Sequence, residues 1–254
     1  MIDIPMKSRG AWDKGTIVSM NTLKPGKVYS AQNLTELHRQ KRAADGNRSE
    51  ESAPVRAAAS ASMTEMRLPS LAYPVRKGQK VPLAVTDSVR QADICLGWNS
   101  TDARCDVDVS AFLLGDSGKV IGDDWFVFYG QTKSPDGSVV FELDGVTDRE
   151  VIRLDFAKLN PAVKKIVFVL TINDAVEKKL NFGMLKDAYI RILKQEDHTE
   201  LASFRMTEYY TNVISMMIGE IYLHNGSWKF HAVGNGVARD LAGLCGLYGV
   251  QVSG

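Results

Sequence analysis

The sequence lacks the features that mark several common classes of protein. It has three cysteines in 254 residues, too few for the disulfide framework of a small secreted domain. A net charge of +1 at pH 7 gives no global argument for binding nucleic acid, so no specific nucleic-acid partner is expected. No apolar run approaches the length that crosses a bilayer, and the first residues lack the apolar stretch of a secretory signal. We therefore expect no transmembrane segment, reduced cysteines and a cytoplasmic location.

Recognisable catalytic motifs are missing as well. The four histidines occur in no metal-ligand spacing such as HExxH, and no P-loop or nucleophile elbow is present. A cysteine nucleophile would need a basic neighbour that lowers its pKa. Arg104 precedes Cys105, but adjacent residues of a strand point to opposite faces. We expect no enzyme, and a thiol-dependent enzyme is the weakest of three alternatives.

Composition divides the chain near residue 72. Residues 1–72 are polar, basic and poor in large apolar side chains, so they cannot bury enough area to offset the entropy lost on ordering. We predict a disordered arm over 1–72, with a short helix near 34–44, and a folded domain over 73–254. One basic cluster of the arm could contact an acidic partner. It consists of Arg39, Lys41 and Arg42.

After residue 73 the pattern changes to short β-strands. Residues 164–172 are apolar on both faces, which predicts a buried strand, and 125–129 are expected to form a central strand for the same reason. Asn225–Gly226 lies between two β-rich runs, the typical signal of a two-residue type I′ turn. Strands at this spacing predict an all-β fold, a β-sandwich. A short carboxy-terminal helix within 237–250 should cover one end or one sheet.

The stretch CDVDVSAFLLGDSGKV, residues 105–120, has a face that changes from polar to apolar. On a strand, Asp106, Asp108 and Ser110 project together, and the apolar residues that follow continue the same face. Carboxylates this close repel each other, so water, a basic side chain or a cation must compensate. Hard divalent cations prefer such oxygen ligands. An EF-hand does not match, because Ala111 stands where that loop requires glycine.

Eight stretches between residues 75 and 250 resemble a known family in sequence and in order. They are VRKGQKVPL, LGW, CDVDVSAFLLGDSGKV, FVFYGQTKSPDGSV, KIVFVLTIND, NFGMLKDAYIRI, GEIYLHNGSWKFHAVGNG and YGV. With these stretches the chain resembles the TerD family of tellurite-resistance and stress-response proteins. The resemblance implies a β-sandwich of the TerD type that binds calcium through acidic loop residues. It also implies a link to phage inhibition, and action in cytoplasmic or membrane-associated complexes rather than as an established enzyme.

The resemblance further implies which residues bind calcium. Typical members have a longer loop resembling NLTGxGxGDDE before the EVI strand, where this chain has only ELDGVTDREVI. This departure would weaken or remove one of the family's calcium sites. The resemblance assigns the role of calcium ligand first to the carboxylates of the DVD motif, next to the amide side chain that follows FYG, and then to the acidic loops. The implied ligands are Asp106, Asp108, Gln131, Asp136, Asp144, Asp148 and Glu150.

Two further function classes stand beside an enzyme. The favoured one is a non-enzymatic, calcium-binding stress-response protein, with Ca²⁺ as its cofactor and other stress-response or membrane-associated proteins as partners. The alternative keeps the fold but makes it a metal-free protein–protein interaction module, whose acidic loops are solvated turns. The shortened loop supports this alternative. Calcium titration discriminates between the two.

Overall fold

The computed structural model describes residues 29–30, 34, 37, 40, 65–85, 90–143 and 147–253. In chain order its strands are β1 (Tyr29–Ser30), β2 (Lys80–Pro82), β3 (Gln91–Ser100), β4 (Val107–Leu114), β5 (Phe126–Val127), β6 (Val139–Leu143), β7 (Glu150–Asp155), β8 (Lys165–Ile172), β9 (Leu185–Lys194), β10 (Glu200–Arg205), β11 (Ser215–His224), β12 (Ser227–Val237) and β13 (Val252–Ser253). The helices with described bounds are α1 (Ala175–Lys178) and α2 (Leu241–Tyr248), with 3₁₀ turns at Asp123–Trp125 and Phe182–Met184. This confirms the all-β class with a short carboxy-terminal helix.

Two mainly antiparallel sheets form a sandwich. Sheet I has the strand order β10-β9-β3-β7-β6, and sheet II has the order β2-β12-β11-β8-β4-β5. Both contribute to one apolar core, in which Ile94 and Leu96 of sheet I are buried in the same cluster as Val109 and Phe168 of sheet II. The alternation expected of half-buried strands places these residues on the inner faces.

The outer face of sheet II is buried over β4, β5 and β8, because a second apolar cluster covers it there. Phe126 stacks on Phe112 and on Phe128, with ring centroids 4.5 and 4.4 Å apart. Helix α2 packs there through Leu244 and Cys245, as the sequence predicts. The Asp240 side chain caps that helix by accepting a hydrogen bond from Gly243 N at 2.8 Å. Strand β8 therefore lies between two apolar layers, which explains its unbroken apolar run.

The prediction of a central strand over 125–129 is wrong. Strand β5 has only two residues, and it lies at the edge of sheet II, paired with Ala111 and Phe112. Phe126 and Phe128 are nevertheless fully buried, because the second cluster covers them. Burial on two sides can come from a covered edge as well as from a central position, and the apolar pattern is the same in both cases.

The predicted Asn225–Gly226 turn is confirmed. Asn225 has φ 50° and Gly226 has φ 75°, the two positive values that a type I′ turn requires. The turn joins β11 to β12, and the last pair of their ladder is His224 with Ser227. Glycine accepts this backbone conformation without the steric cost that a side chain would add.

The structure describes only part of the arm, and the predicted disorder over 1–72 falls largely outside the described residues. Strand β1 pairs in parallel with β13. Leu34, in helical conformation, is buried in the second apolar cluster, and Leu37 packs against that cluster. The Tyr129 hydroxyl donates a hydrogen bond to the Leu34 carbonyl at 3.0 Å. At least these residues of the arm therefore contact the sandwich.

Candidate functional site

Strand β4 brings Asp108 and Ser110 to the outer face of sheet II, just where its apolar cover ends, and Asp106 immediately precedes the strand. Val107 and Val109 between them belong to the inner core, whereas Phe112, further along the polar face, belongs to the second cluster. Asp108 and Ser110 are buried, with 6% and 2% exposure. Ser110 Oγ has no hydrogen-bond partner among the described residues. The face shared by the carboxylates in the sequence is therefore a face shared in the fold.

A polar row crosses sheet II from this point, and sequence reasoning missed it. Asp108 lies opposite Thr171 of β8, and Thr171 lies opposite Ser215 of β11. Ser215 Oγ is 3.3 Å from Thr171 Oγ1 and donates to the Arg239 carbonyl at 2.6 Å. The sequence hints at this row only through Thr171 and Ser215, each of which is a hydroxyl residue within an otherwise apolar run. Cross-strand register, which places them side by side, is decided only by the fold.

Glu150 lies against the same strand from the other side of the sandwich. Its Oε2 accepts a hydrogen bond from Val109 N at 2.7 Å, and its side chain is 3% exposed. Strand β5 pairs with β4 only at Ala111 and Phe112. The Glu150 carboxylate therefore accepts a backbone hydrogen bond on the part of the β4 edge that β5 does not cover. The start of β7 is thereby placed beside β4 at Val109.

Asp148 points to the opposite face of sheet I. Its Oδ1 accepts hydrogen bonds from the Tyr189 hydroxyl at 2.6 Å and from Arg191 Nε at 3.0 Å, and its Oδ2 accepts from Arg191 Nη2 at 2.6 Å. Burial first, and then the bond to Asp148, raise the pKa of Tyr189 above its ordinary value. The structure therefore does not bring the Asp148 and Glu150 carboxylates together, although only one residue separates them in sequence.

Asp136 stabilises a turn at the far end of sheet I by accepting hydrogen bonds from Ser134, Ser138 and Asn160. Burial alone would raise its pKa, but hydrogen bonds from Ser138, Ser134 and Asn160 outweigh this and lower it. The backbone N–H groups of Ser138 and Asn160 donate at 2.9 and 2.8 Å. The β6–β7 register places this turn beyond the pair of Val139 and Leu154, four residues from Glu150, or about 13 Å of strand.

The remaining two predicted ligands differ in what the structure says of them. Gln131 is buried at 8% exposure, and its Nε2 donates to the carbonyls of Asp124 and Phe126, both at 2.8 Å. These bonds fix the orientation of the amide. Asp144 lies outside the described residues.

The side-chain donors on this face of β4 suit a hard cation better than a soft one, because Asp108 and Ser110 offer carboxylate and hydroxyl oxygens. In the part of the chain that the structure describes, no group of three or more His, Cys, Asp or Glu side chains could hold a metal ion. A complete calcium site would need at least one more carboxylate at Asp106 and Asp108.

Comparison with known proteins identifies the domain. The family model described as the TerD domain matches residues 71–248, which is most of the chain. The chain belongs to the TerD family. The match begins close to the predicted domain boundary, and the two-sheet sandwich described above is the fold of this TerD chain.

Relatives of this TerD chain carry names linked to tellurium and to stress. The chain is 41% identical to the tellurium resistance protein TerD of Alcaligenes sp over 186 residues, which cover 70% of this chain and 97% of the relative. It is 40% identical to the tellurium resistance protein TerD of Serratia marcescens, with the same coverage. General stress protein 16U of Bacillus subtilis is 37% identical, covering 69% of this chain and 96% of the relative.

Proposed function

We propose that this TerD protein acts in resistance to tellurite and related chemical stress, and that it does so by binding calcium rather than by catalysis. The first part is supported by relatives that are named for tellurium resistance and for general stress. The second part is supported by the site on β4. The cytoplasmic location and the stress-response or membrane-associated partners remain predictions. No described helix has the length and apolarity to cross a membrane.

Asp106 and Asp108 are the proposed centre of the calcium site. The observation that carries this proposal is their shared face at the edge of the covered part of sheet II, with the start of β7 held beside them by the bond between Glu150 and Val109 N. Asp144 and the amide oxygen of Gln131 are the proposed further ligands. A bound cation would supply the positive charge that offsets the repulsion between the two aspartates.

A non-catalytic role is favoured by the state of the cysteines. All three are buried and lie outside any disulfide, which supports the expected reduced thiols. Burial raises the pKa of the Cys105 thiol, and it raises the pKa of Cys245 to about 12. Reactive cysteines have a lowered pKa and an accessible sulfur, and these two have neither. A thiol-dependent enzyme remains the least supported alternative.

Calcium-dependent stabilisation tests the proposal. The thermal midpoint of the full chain is measured with chelator, with millimolar calcium and with millimolar magnesium. Calcium should stabilise the fold by about 2.7 kcal/mol when its free concentration is roughly 100 times the dissociation constant. Magnesium should do much less, because it prefers a small octahedral shell to a loose cage of protein oxygens.

Asp108→Asn supplies the matched variant, since it keeps the side-chain shape and removes one charge. It should abolish most of the calcium-dependent shift. Asp116→Asn, the same change in the exposed turn at the other end of β4, should leave the shift intact. If the wild-type chain shows no shift with calcium, the metal-free interaction module takes the place of the calcium proposal. Survival of cells in tellurite, compared between wild type and Asp108→Asn, then links the site to resistance.

A further inference from the structure

A cavity of about 500 Å³ lies on the outer face of sheet I. Its floor is apolar, because Cys95, Val151 and Leu193 of three neighbouring strands form one buried cluster there. Thr147, shortly before β7, and His198, in the turn between β9 and β10, also line the cavity. A cavity of this size, with an apolar floor and several polar groups, is the usual form of a small-molecule site.

The cross-strand register places charged side chains around this floor. Asp93 lies opposite Arg153, and Cys95, two residues further along the same face of β3, lies opposite Arg191. Glu142 comes from β6, the strand at the edge of the sheet. All five residues line the cavity. The charges therefore adjoin the apolar floor instead of forming a separate surface.

One ion pair of the lining is closed on itself. Both carboxylate oxygens of Asp148 accept hydrogen bonds from Arg191, and Oδ1 also accepts one from the Tyr189 hydroxyl. The two side chains of the pair are 2% and 13% exposed. Their opposite charges are matched at short range, so this pair gives the cavity little net charge.

The second charged group keeps an excess of negative charge. Arg153 Nε lies 3.6 Å from Asp93 Oδ1, and Arg153 Nη1 lies 3.0 Å from Glu142 Oε1. One guanidinium therefore faces two carboxylates. With histidine counted as neutral, the described lining carries one net negative formal charge. Asp93 is 6% exposed, and charges that are buried in this way are only weakly screened by salt.

This arrangement suits an organic cation better than a metal ion or an anion. Calcium requires its oxygen ligands at about 2.3–2.6 Å, whereas the Arg153 guanidinium already lies between the two carboxylates. An anion would meet the excess negative charge. A protonated primary amine offers three N–H donors on a compact group. Glu142 binds Arg153 through Oε1, so its Oε2 can accept one of these hydrogen bonds.

We propose that this cavity binds a small organic ammonium ion with an alkyl stem. The stem covers the apolar floor of Cys95, Val151 and Leu193, and the ammonium group lies beside Asp93 and Glu142. The site is separate from the proposed calcium site, since it lies on the outer face of sheet I and shares no residue with Asp106 and Asp108. It therefore does not depend on calcium binding.

Three ligands of the same length test the proposal on the isotope-labelled full chain in chelator. Hexylammonium should shift the amide signals of Cys95, Val151 and Leu193, and the shifts should saturate. Hexanol keeps the stem without the charge and should bind about tenfold more weakly, because a hydrogen bond to a charged group is lost. Hexanoate, with the opposite charge, should bind more weakly still.

Charge-removing variants test which groups recognise the cation. Asp93→Asn should weaken hexylammonium binding about tenfold, and its amide spectrum shows whether it is folded. Glu142→Gln changes a half-exposed side chain and should weaken binding about fivefold. Glu177→Gln, the same change on the exposed surface of helix α1, should leave the affinity unchanged. The variant that carries both cavity substitutions has a net positive lining, so it should bind hexanoate more tightly than hexylammonium.

Several results would overturn the proposal. Equal affinities of the wild-type chain for hexylammonium and hexanol would make the cavity merely apolar, and tighter binding of hexanoate would make it an anion site. Displacement of hexylammonium by millimolar calcium would assign the cavity to a metal ion. The absence of saturable shifts, or wild-type affinity for hexylammonium in both Asp93→Asn and Glu142→Gln, would also overturn it.

Discussion

The outer faces of the two sheets differ in what covers them. On sheet II, an aromatic stack, helix α2 and Leu34 bury the outer face over β4, β5 and β8. On β11 the same face is polar, since Glu220 forms ion pairs with Lys165 and His231. Sheet I carries ion pairs and a cavity of about 500 Å³ in the corresponding place. Among the described residues a small apolar cluster lies there, made of Cys95, Val151 and Leu193. Two sheets that share one core therefore differ in how much of the outer face an apolar cluster covers.

This difference explains why similar acidic residues have different surroundings. On sheet I, Asp148 is bound by Arg191, and Arg153 lies 3.0 Å from Glu142, so basic side chains compensate these carboxylates. On sheet II, Asp106 and Asp108 follow an apolar face. The strand positions opposite Asp108 carry the hydroxyl side chains Thr171 and Ser215, and the proposed calcium ion would add positive charge there.

Removing an aromatic ring from the covered face should have the largest effect on stability. Phe126→Ala empties the centre of the stack and should lower the free energy of unfolding by about 3–5 kcal/mol. Val151→Ala removes a smaller side chain from the outer face of sheet I and should cost less than about 2 kcal/mol. Urea unfolding of both variants measures the difference. Equal losses would contradict the contrast between the two faces.

Breaking the ion pair on sheet I should have the next largest effect. Arg191→Met leaves the Asp148 carboxylate buried beside an apolar side chain, and should cost about 3 kcal/mol. Replacing both partners, Asp148→Leu with Arg191→Met, should recover part of this loss, because no buried charge then remains although the buried Tyr189 hydroxyl loses its acceptor. A double variant as unstable as the single one would show that the pair contributes more than mutual compensation.

Asp136 should make stability depend on pH in the acidic range. Its pKa in the folded protein lies below the ordinary value of 3.8, so its contribution is complete above pH 3.8 and is lost as pH falls through the lower folded pKa. Asp136→Asn should cost about 2 kcal/mol at neutral pH, since hydrogen bonds to a charged group are lost. The gap between the variant and wild type should narrow below pH 3.8. A gap that stays constant down to pH 2 would exclude this assignment.

The smallest effect is expected at the edge of the covered face, without calcium. Asp108→Asn relieves repulsion from Asp106 and should change the stability of the chelator-treated protein by less than about 1 kcal/mol, toward greater stability. Thermal melts in chelator measure it, with Asp116→Asn as the reference. A large loss would show that the Asp108 charge supports the fold itself, and would make the site structural rather than ion-binding.

Local patterns in the sequence determined much of this protein. The Asn225–Gly226 pair predicted a type I′ turn, because both residue types tolerate the positive φ that this turn requires. The run from Lys165 to Ile172 required burial on both faces, and the alternation in CDVDVSAFLL placed Asp106 and Asp108 together. Each of these features depends on contacts within a few residues, so periodicity and turn chemistry suffice to predict it.

The tertiary structure decided which neighbours those residues meet. It placed β5 at an edge, turned Asp148 and Glu150 to opposite faces of sheet I, and set Asp108, Thr171 and Ser215 in one row. Each outcome depends on strand order and register between segments tens of residues apart. The spacing of residues in the sequence does not reveal strand order or register, because the same alternation fits several registers until the packing of both faces selects one.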